Sequence, residues 1–433
     1  MPQAKTRAII ALALFASLIS FAKFSSCESS GWATPDQYVH ACYSDIPALF
    51  GERGLSKGDW AYSNGADSVE YPVITGSVMW AFAQITPSGD DSIKNYFHIN
   101  IFSLALLFIL ISLIVFKMRP EFSYLYPLAP AGIASLYINW DLWAIISMIG
   151  AIYWFDRKKL DLSALALGIS ISTKFMPIFL LFPIMFIFMR RNQLRGSVRY
   201  LVITALTFAA INLPVYLTTP EGWLRFYQLN LSRGSDWGSL WYALTSLGVN
   251  LPSLNYLSIL LLLIGFAAIA IYILELRNTP SLASLSFIVL ATVMCASKVY
   301  SPQYALWLIP LAVIALSDKR DLHAFWIWQG AEVIYHIAIW QHLAGVTGAK
   351  FGLPLYGYAL ITLLRIVATI YLIAIFVRRG LAGGTQGPLA HRSLREFLFE
   401  SGNAYPEPFS VRLLSGAKQR STHPPVTEMP WPS

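Results

Sequence analysis

The chain has 433 residues, of which 56% are Ala, Val, Ile, Leu, Met, Phe, Trp, Tyr or Cys and only 12% are charged, about half the ~25% usual for a soluble domain; mean hydropathy is +0.55. So few charges cannot cover that much apolar surface in water, which excludes a soluble enzyme, a disordered chain and a nucleic-acid-binding module. The net charge of +8 lies between apolar stretches and in the tail, where it reports topology rather than a nucleic-acid-binding face.

A bilayer core takes roughly 20 apolar residues per helix. Apolar stretches lie at 8–24, 96–116, 122–138, 141–155, 161–173, 176–189, 199–217, 254–274, 281–297, 303–316, 322–340 and 355–377. They predict an all-α polytopic membrane protein of about 12 transmembrane helices. The first stretch resembles a secretory signal, with Phe24-Ser25-Ser26-Cys27 as a poor lipoprotein site, but the eleven spans that follow favour a retained anchor. A loop over 25–95 comes next, and within it 71–86 is a thirteenth apolar stretch. Charge bias decides how that stretch is read. If it does not span, Lys5, Arg7, Lys117, Arg119, Arg157, Lys158, Lys159, Arg190, Arg191, Arg195, Arg277, Lys319, Arg320, Arg378 and Arg379 fall on the cytoplasmic side. If it spans, the later loops invert and the bias fails. The expectation is therefore a helix lying on or dipping into the outer face. Cys27 and Cys42 fall outside, where a disulfide is chemically allowed; the spacing leaves the bridge open. Cys295 reads as a packed thiol.

The loop 25–95 mixes Asp36, Asp45, Glu52, Asp59, Asp67 and Glu70 with Trp32, Tyr38, Tyr43, Trp60, Tyr62 and Tyr71. A second outer loop, 218–253, carries Glu221, Trp223, Arg225, Arg233, Asp236, Trp237 and Trp241. Carboxylates accept sugar hydroxyls and aromatic rings stack on sugars, although Trp and Tyr also serve as interface anchors. Sharper signals are cations at outer helix ends. The run 161–189 is too long for one span and is bounded by Lys158-Lys159 and Arg190-Arg191, so the chain crosses twice and turns near Lys174-Phe-Met-Pro177. Lys298 lies at a second such turn, Ser297-Lys-Val-Tyr-Ser-Pro-Gln-Tyr304. Each lysine can snorkel; together they suit a lipid-linked phosphate. Glu332 and Arg365 fall mid-span, where a lone charge costs about 2.5–3.5 kcal/mol on insertion scales. They are expected to pair structurally, with His336 one turn from Glu332 joining them. The segment 377–433 is rich in Gly, Pro and Ser and is expected to be a mostly disordered cytoplasmic tail, with a short helix near Ser393–Glu400. No His/Asp/Cys spacing suggests a metal site.

These motifs occur in a fixed order: Cys42-Tyr-Ser-Asp-Ile-Pro-Ala-Leu-Phe50, Arg53-Gly-Leu, Val69-Glu-Tyr-Pro-Val-Ile-Thr-Gly76, Asn139-Trp-Asp141, Gly168-xxxxx-Lys174-xx-Pro177 and Lys298-xx-Ser-Pro-Gln-Tyr304. The order resembles that of the GT-C superfamily of integral-membrane glycosyltransferases. It is most similar to glycosyltransferase family 87, the bacterial polyprenyl-phosphate-mannose-dependent α-mannosyltransferases. The family's downstream Tyr-Pro-Pro reads Tyr71-Pro72-Val73 here. The resemblance implies a GT-C-like transmembrane domain over 1–376 in the bacterial cytoplasmic membrane. It implies inverting transfer of a sugar on the outer face, from a polyprenyl-phosphate donor to a glycan or glycolipid acceptor. Mannose is the implied sugar and decaprenyl-phosphate arabinose a substitute. Asp45 matches the first-loop base, with Asp36 as runner-up. Lys174, Lys298 and Arg233 would hold the donor phosphate. Asp141, Tyr71, Gln303 and Tyr304 would line the sugar and acceptor site. Twelve spans also suit a transporter or flippase of a lipid-linked or small substrate, or a membrane scaffold; no repeated halves are visible, as a transporter would be expected to show.

Overall fold

The computed structural model describes residues 2–384, and among them every regular element is helical. Five helices are long and apolar enough to cross a membrane. The first is Pro2–Phe24, continued by a 3-10 turn Ser25–Ser30. The others are Ser92–Met118, Leu194–Thr218, Leu254–Glu275 and Leu355–Ala382. Asp141–Asp156, Leu160–Thr173, Leu282–Ala296 and Ala305–Ala315 are shorter, and Leu322–Val346 has the length but carries more polar groups.

Eleven of the twelve predicted stretches form helices at the expected places; 122–138 does not form one continuous helix. It breaks into Leu125–Leu128 and Pro130–Ser135. Pro130 pushes the residue before it out of the helical region, and Ala129 is extended (φ −67°, ψ 111°). The broken segment still carries the chain from one end of the bundle to the other. Tyr126 packs against Phe108, deep in the Ser92–Met118 helix, and Tyr137 packs against Phe24 at the end of the first helix.

Helix ends alternate between two faces. On one face His98 bonds Glu28, Trp140 donates to Asn100, Thr75 donates to the Thr173 carbonyl, and Trp223 donates to Asn212. Trp241 donates to the Ala296 carbonyl there, and Tyr358 accepts from the Gly238 amide. At the other ends of the same helices Arg190 donates to the carbonyls of Ile273 and Leu276, and Arg379 pairs with Asp318 and Asp321. The stretch 71–86 yields the helix Val73–Gln84, whose 12 residues span about 18 Å against a core of about 30 Å. Both its ends stay on the first face, with Thr75 beside Thr173 and Gln84 bonded to the Gly58 carbonyl.

Residues 25–95 are tied down by a Cys27–Cys42 disulfide and by a forked Arg53–Glu70 ion pair at 2.7 and 3.0 Å. The last helix runs to Ala382, past the expected boundary at 377. The rest of the tail, with the expected helix at Ser393–Glu400, lies outside the described residues.

Candidate active site

Asp45 opens the helix Asp45–Glu52, and Ser44 caps it by accepting from the Ile46 amide at 3.2 Å. The same hydroxyl donates to the Tyr137 carbonyl at 2.7 Å, and the Asp45 amide donates to the Ile138 carbonyl at 2.8 Å. The start of this helix is therefore stitched to the chain just before Asn139-Trp140-Asp141. Asn139 bridges the two acids. Its Nδ2 donates to Asp45 Oδ2 at 3.5 Å, and its Oδ1 accepts from the Asp141 amide at 3.0 Å.

Tyr43 donates to Asp45 Oδ1 at 2.8 Å, and Tyr71 donates to Oδ2 at 3.2 Å. Burial pushes the Asp45 carboxyl above the usual carboxylate range. The Tyr43 hydroxyl, the charge of Lys174, the Tyr71 hydroxyl and Asn139 pull it back. Asp45 in turn pushes the Tyr43 phenol well up, ahead of burial. A carboxylate oxygen has two lone-pair sites. Oδ2 takes two of these donors and Oδ1 one, so Oδ1 keeps a position for a further proton donor.

Lys174 ends the Leu160–Thr173 helix in an extended conformation. Its Nζ lies 3.0 Å from Asp141 Oδ1, whose side chain is 1% exposed, and 4.0 Å from the centre of the Tyr71 ring. One acid–base group thus joins Asp45, Asp141, Tyr71 and Lys174. A second group forms across the face. Lys298 Nζ donates to the Arg233 carbonyl and to Asn255 Oδ1, and Arg233 pairs with Asp236 at 3.6 Å. Burial, then Arg233, pushes the Lys298 ammonium down. Among the described residues the two lysines share no partner. Tyr304 lies between the groups, within electrostatic reach of Asp141, Arg233, Asp236 and Asp45. Gln303 beside it is buried, and among the described residues its Oε1 has no hydrogen-bond partner. Asp36 stands apart, exposed at the start of a one-turn helix. Sequence reasoning assigned no role to Tyr43 or Asn139, although Tyr43 stands two residues before Asp45 and Asn139 two before Asp141.

Glu332 and Arg365 pair at 2.8 Å with essentially no exposure. Arg365 also donates to the carbonyls of Tyr300 and Ser301, and Tyr300 donates back to Glu332 at 3.1 Å. His336 does not join them. Its ring lies one turn on from Glu332 but faces the first helix, where Lys23 Nζ donates to Nε2 at 2.9 Å and Trp340 to the same nitrogen at 3.0 Å.

No protein-family pattern and no curated protein matches the sequence. Among solved structures the chain is similar to ArnT from Cupriavidus metallidurans bound to undecaprenyl phosphate, at 14% identity and a TM-score of 0.45, over 86% of this chain and 78% of that one.

Proposed function

We propose that the chain is an integral-membrane glycosyltransferase of the GT-C kind. It moves a sugar, mannose in the first instance, from a polyprenyl phosphate to a glycan or glycolipid acceptor with inversion. The observation that carries this reading is Asp45: a carboxylate held by three donors, keeping one free acceptor position, beside a lysine at the end of a membrane-buried bundle.

Asp45 takes the proton from the acceptor hydroxyl as the acceptor oxygen bonds to the anomeric carbon. The bond from that carbon to the phosphate oxygen breaks in the same step, and the lipid phosphate leaves with one more negative charge. No strong acid is needed for such a leaving group, but cations are. An ammonium has three donors, so Lys174 can hold Asp141 and still bind phosphate. Lys298 and Arg233 supply charge from the other side of Tyr304, and Asp141, Tyr71, Gln303 and Tyr304 contact the sugar. The Cys27–Cys42 bridge on the same face suits an oxidising outer compartment, and so the outer side of a bacterial plasma membrane. A transporter would place its ionisable site at mid-depth; the mid-span charges Glu332 and Arg365 are instead consumed by each other.

The test is incubation of the purified protein in lipid with polyprenyl-phosphate mannose or arabinose and glycan acceptors, followed by product mass analysis. Asp45→Asn keeps the shape but cannot take the proton. It should cut turnover about 10²–10⁴-fold with donor-lipid binding retained, and Asp36→Asn should cost much less. Near-normal turnover of both variants would leave the reading without a base.

A further inference from the structure

A cleft of about 470 Å³ opens between the turn Gly65–Asp67 and the helix Pro220–Ser232. Glu221, Arg225, Gln228 and Ser232 line it, together with Leu224, Leu229 and the turn residues Gly65 and Ala66. The polar helical residues of this set, 221, 225, 228 and 232, fall at spacings of four, three and four, which places them on one stripe between the two leucines. The opposite side of the helix carries Trp223, Phe226 and Tyr227. Trp223 donates to Asn212 at 3.1 Å, and the rings of Phe226 and Tyr227 pack on Phe175, the residue after Lys174. The helix therefore faces the reaction group with its aromatic side and the cleft with its polar side. It is clamped in this orientation at Gly222, where an added Cβ would fall onto the Tyr62 carbonyl. Tyr62 in turn donates to the carbonyl of Tyr71, whose hydroxyl holds Asp45.

The charges in the cleft are unused. Glu221 and Arg225 stand one turn apart, yet among the described residues neither makes an ion pair or a side-chain hydrogen bond, and Arg225 Nε is shielded from solvent without a partner. A guanidinium, a carboxylate and an amide facing one volume offer donors and acceptors together, which is the chemistry of vicinal sugar hydroxyls. A phosphate headgroup fits less well, because Glu221 would repel it.

We propose that this cleft docks the saccharide part of the acceptor, an inference that rests on the transferase reading. A helix with its side chains is about 10–12 Å across. An acceptor held in the cleft reaches Asp45 only if it extends past that width. The substrate class is therefore an oligosaccharide or a glycolipid with several sugars, not a single sugar.

The test uses the full-length protein in lipid nanodiscs, with mannotriose as probe in ligand-observed NMR and with decaprenyl phosphate binding measured in parallel. Arg225→Ala and Glu221→Gln should each weaken mannotriose by about tenfold or more, since hydrogen bonds to charged groups are lost. Ala66→Trp should do the same by filling the cleft with both charges in place. None of the three should change decaprenyl phosphate binding. Wild-type affinity for mannotriose in all three variants, or no mannotriose binding by the wild type, would overturn the proposal. So would an Arg225→Ala variant altered only in its response to anionic lipid, which would make the cleft a headgroup contact. A wild type that binds mannotriose through these residues but ignores decaprenyl phosphate would sink the transferase reading and leave the saccharide site standing.

Discussion

Asp45 is both half-buried and hydrogen-bonded, and the two effects oppose each other. Burial disfavours the carboxylate, and the donors Tyr43, Tyr71 and Asn139 favour it. A base must be deprotonated to work, so turnover should climb with pH through the Asp45 pKa and then level off. Tyr43→Phe removes the donor at 2.8 Å and leaves burial in place. The pKa should rise, and the acid limb of the pH–rate profile should move to higher pH with the plateau nearly kept. A limb that stays put or moves to lower pH would show that Asp45 does not set it. Lys174 and Asp141 give a second residue-scale test. Removing one partner of a buried pair costs about 3–5 kcal/mol, whereas replacing both by apolar groups is often neutral. Lys174→Met should therefore lower thermal stability in detergent, and Lys174→Met with Asp141→Leu should recover it. If Lys174 binds the donor phosphate, the double variant folds yet binds polyprenyl phosphate weakly and turns over poorly. A double variant with normal donor affinity would reduce Lys174 to a structural counter-ion. Asp45 and Lys174 were legible because each stands at a helix junction in a motif. Asn139 was not, since its role as a bridge exists only once residues 44–45 meet residues 137–138.

The elements divide in the same way between what hydropathy carries and what it does not. Length and apolarity located eleven helices, and the charge bias favoured 71–86 staying on one face, because a charge rule across many loops is insensitive to local detail. The break at Ala129–Pro130 was written in Pro127 and Pro130, but hydropathy averages over such a break. Which residue of an evenly apolar helix faces which neighbour leaves no period to read, so His336 was expected beside Glu332 and sits beside Lys23 instead. The Glu332–Arg365 pair itself followed from the cost of a lone mid-span charge. Its partners extend its meaning. Arg365 holds the carbonyls of Tyr300 and Ser301, so the pair joins the helices Leu322–Val346 and Leu355–Ala382 to the turn that presents Gln303 and Tyr304. Arg365→Met alone should cost about 3–5 kcal/mol by stranding Glu332. Adding Glu332→Leu should return most of the stability but not the hold on Tyr300. Turnover of that double variant should stay low, because the turn is free to move. Full activity in the double variant would show that the pair serves packing alone.

At the scale of the whole molecule the arrangement is polar end to end. The face carrying Asp45, Asp141, Lys174 and Lys298 also carries the disulfide and the two loops rich in carboxylates and aromatics, whereas the opposite ends gather Arg190, Arg191, Lys319, Arg320 and Arg379. Positive residues cluster on the cytoplasmic side of membrane proteins, which predicts that the basic ends face the cytoplasm and the reaction group faces outward. A lipid-linked sugar presented at the outer leaflet can reach the lysines only in that orientation. The prediction is tested by single cysteines at two exposed serines, one per face: Ser63 in the loop beside Asn64 and Ser317 just before the Asp318–Arg320 pair. The native Cys27 and Cys42 are bridged, and Cys295 is replaced by serine to silence it. In intact cells or sealed right-side-out vesicles, a membrane-impermeant maleimide should label Ser63→Cys directly and Ser317→Cys only after permeabilisation. The reverse pattern would place Asp45 and the lysines in the cytoplasm, where the donor phosphate would have to be presented from the inner leaflet. Labelling of both positions from outside would mean that the ends do not alternate across a bilayer, and the single-face site would fall with them.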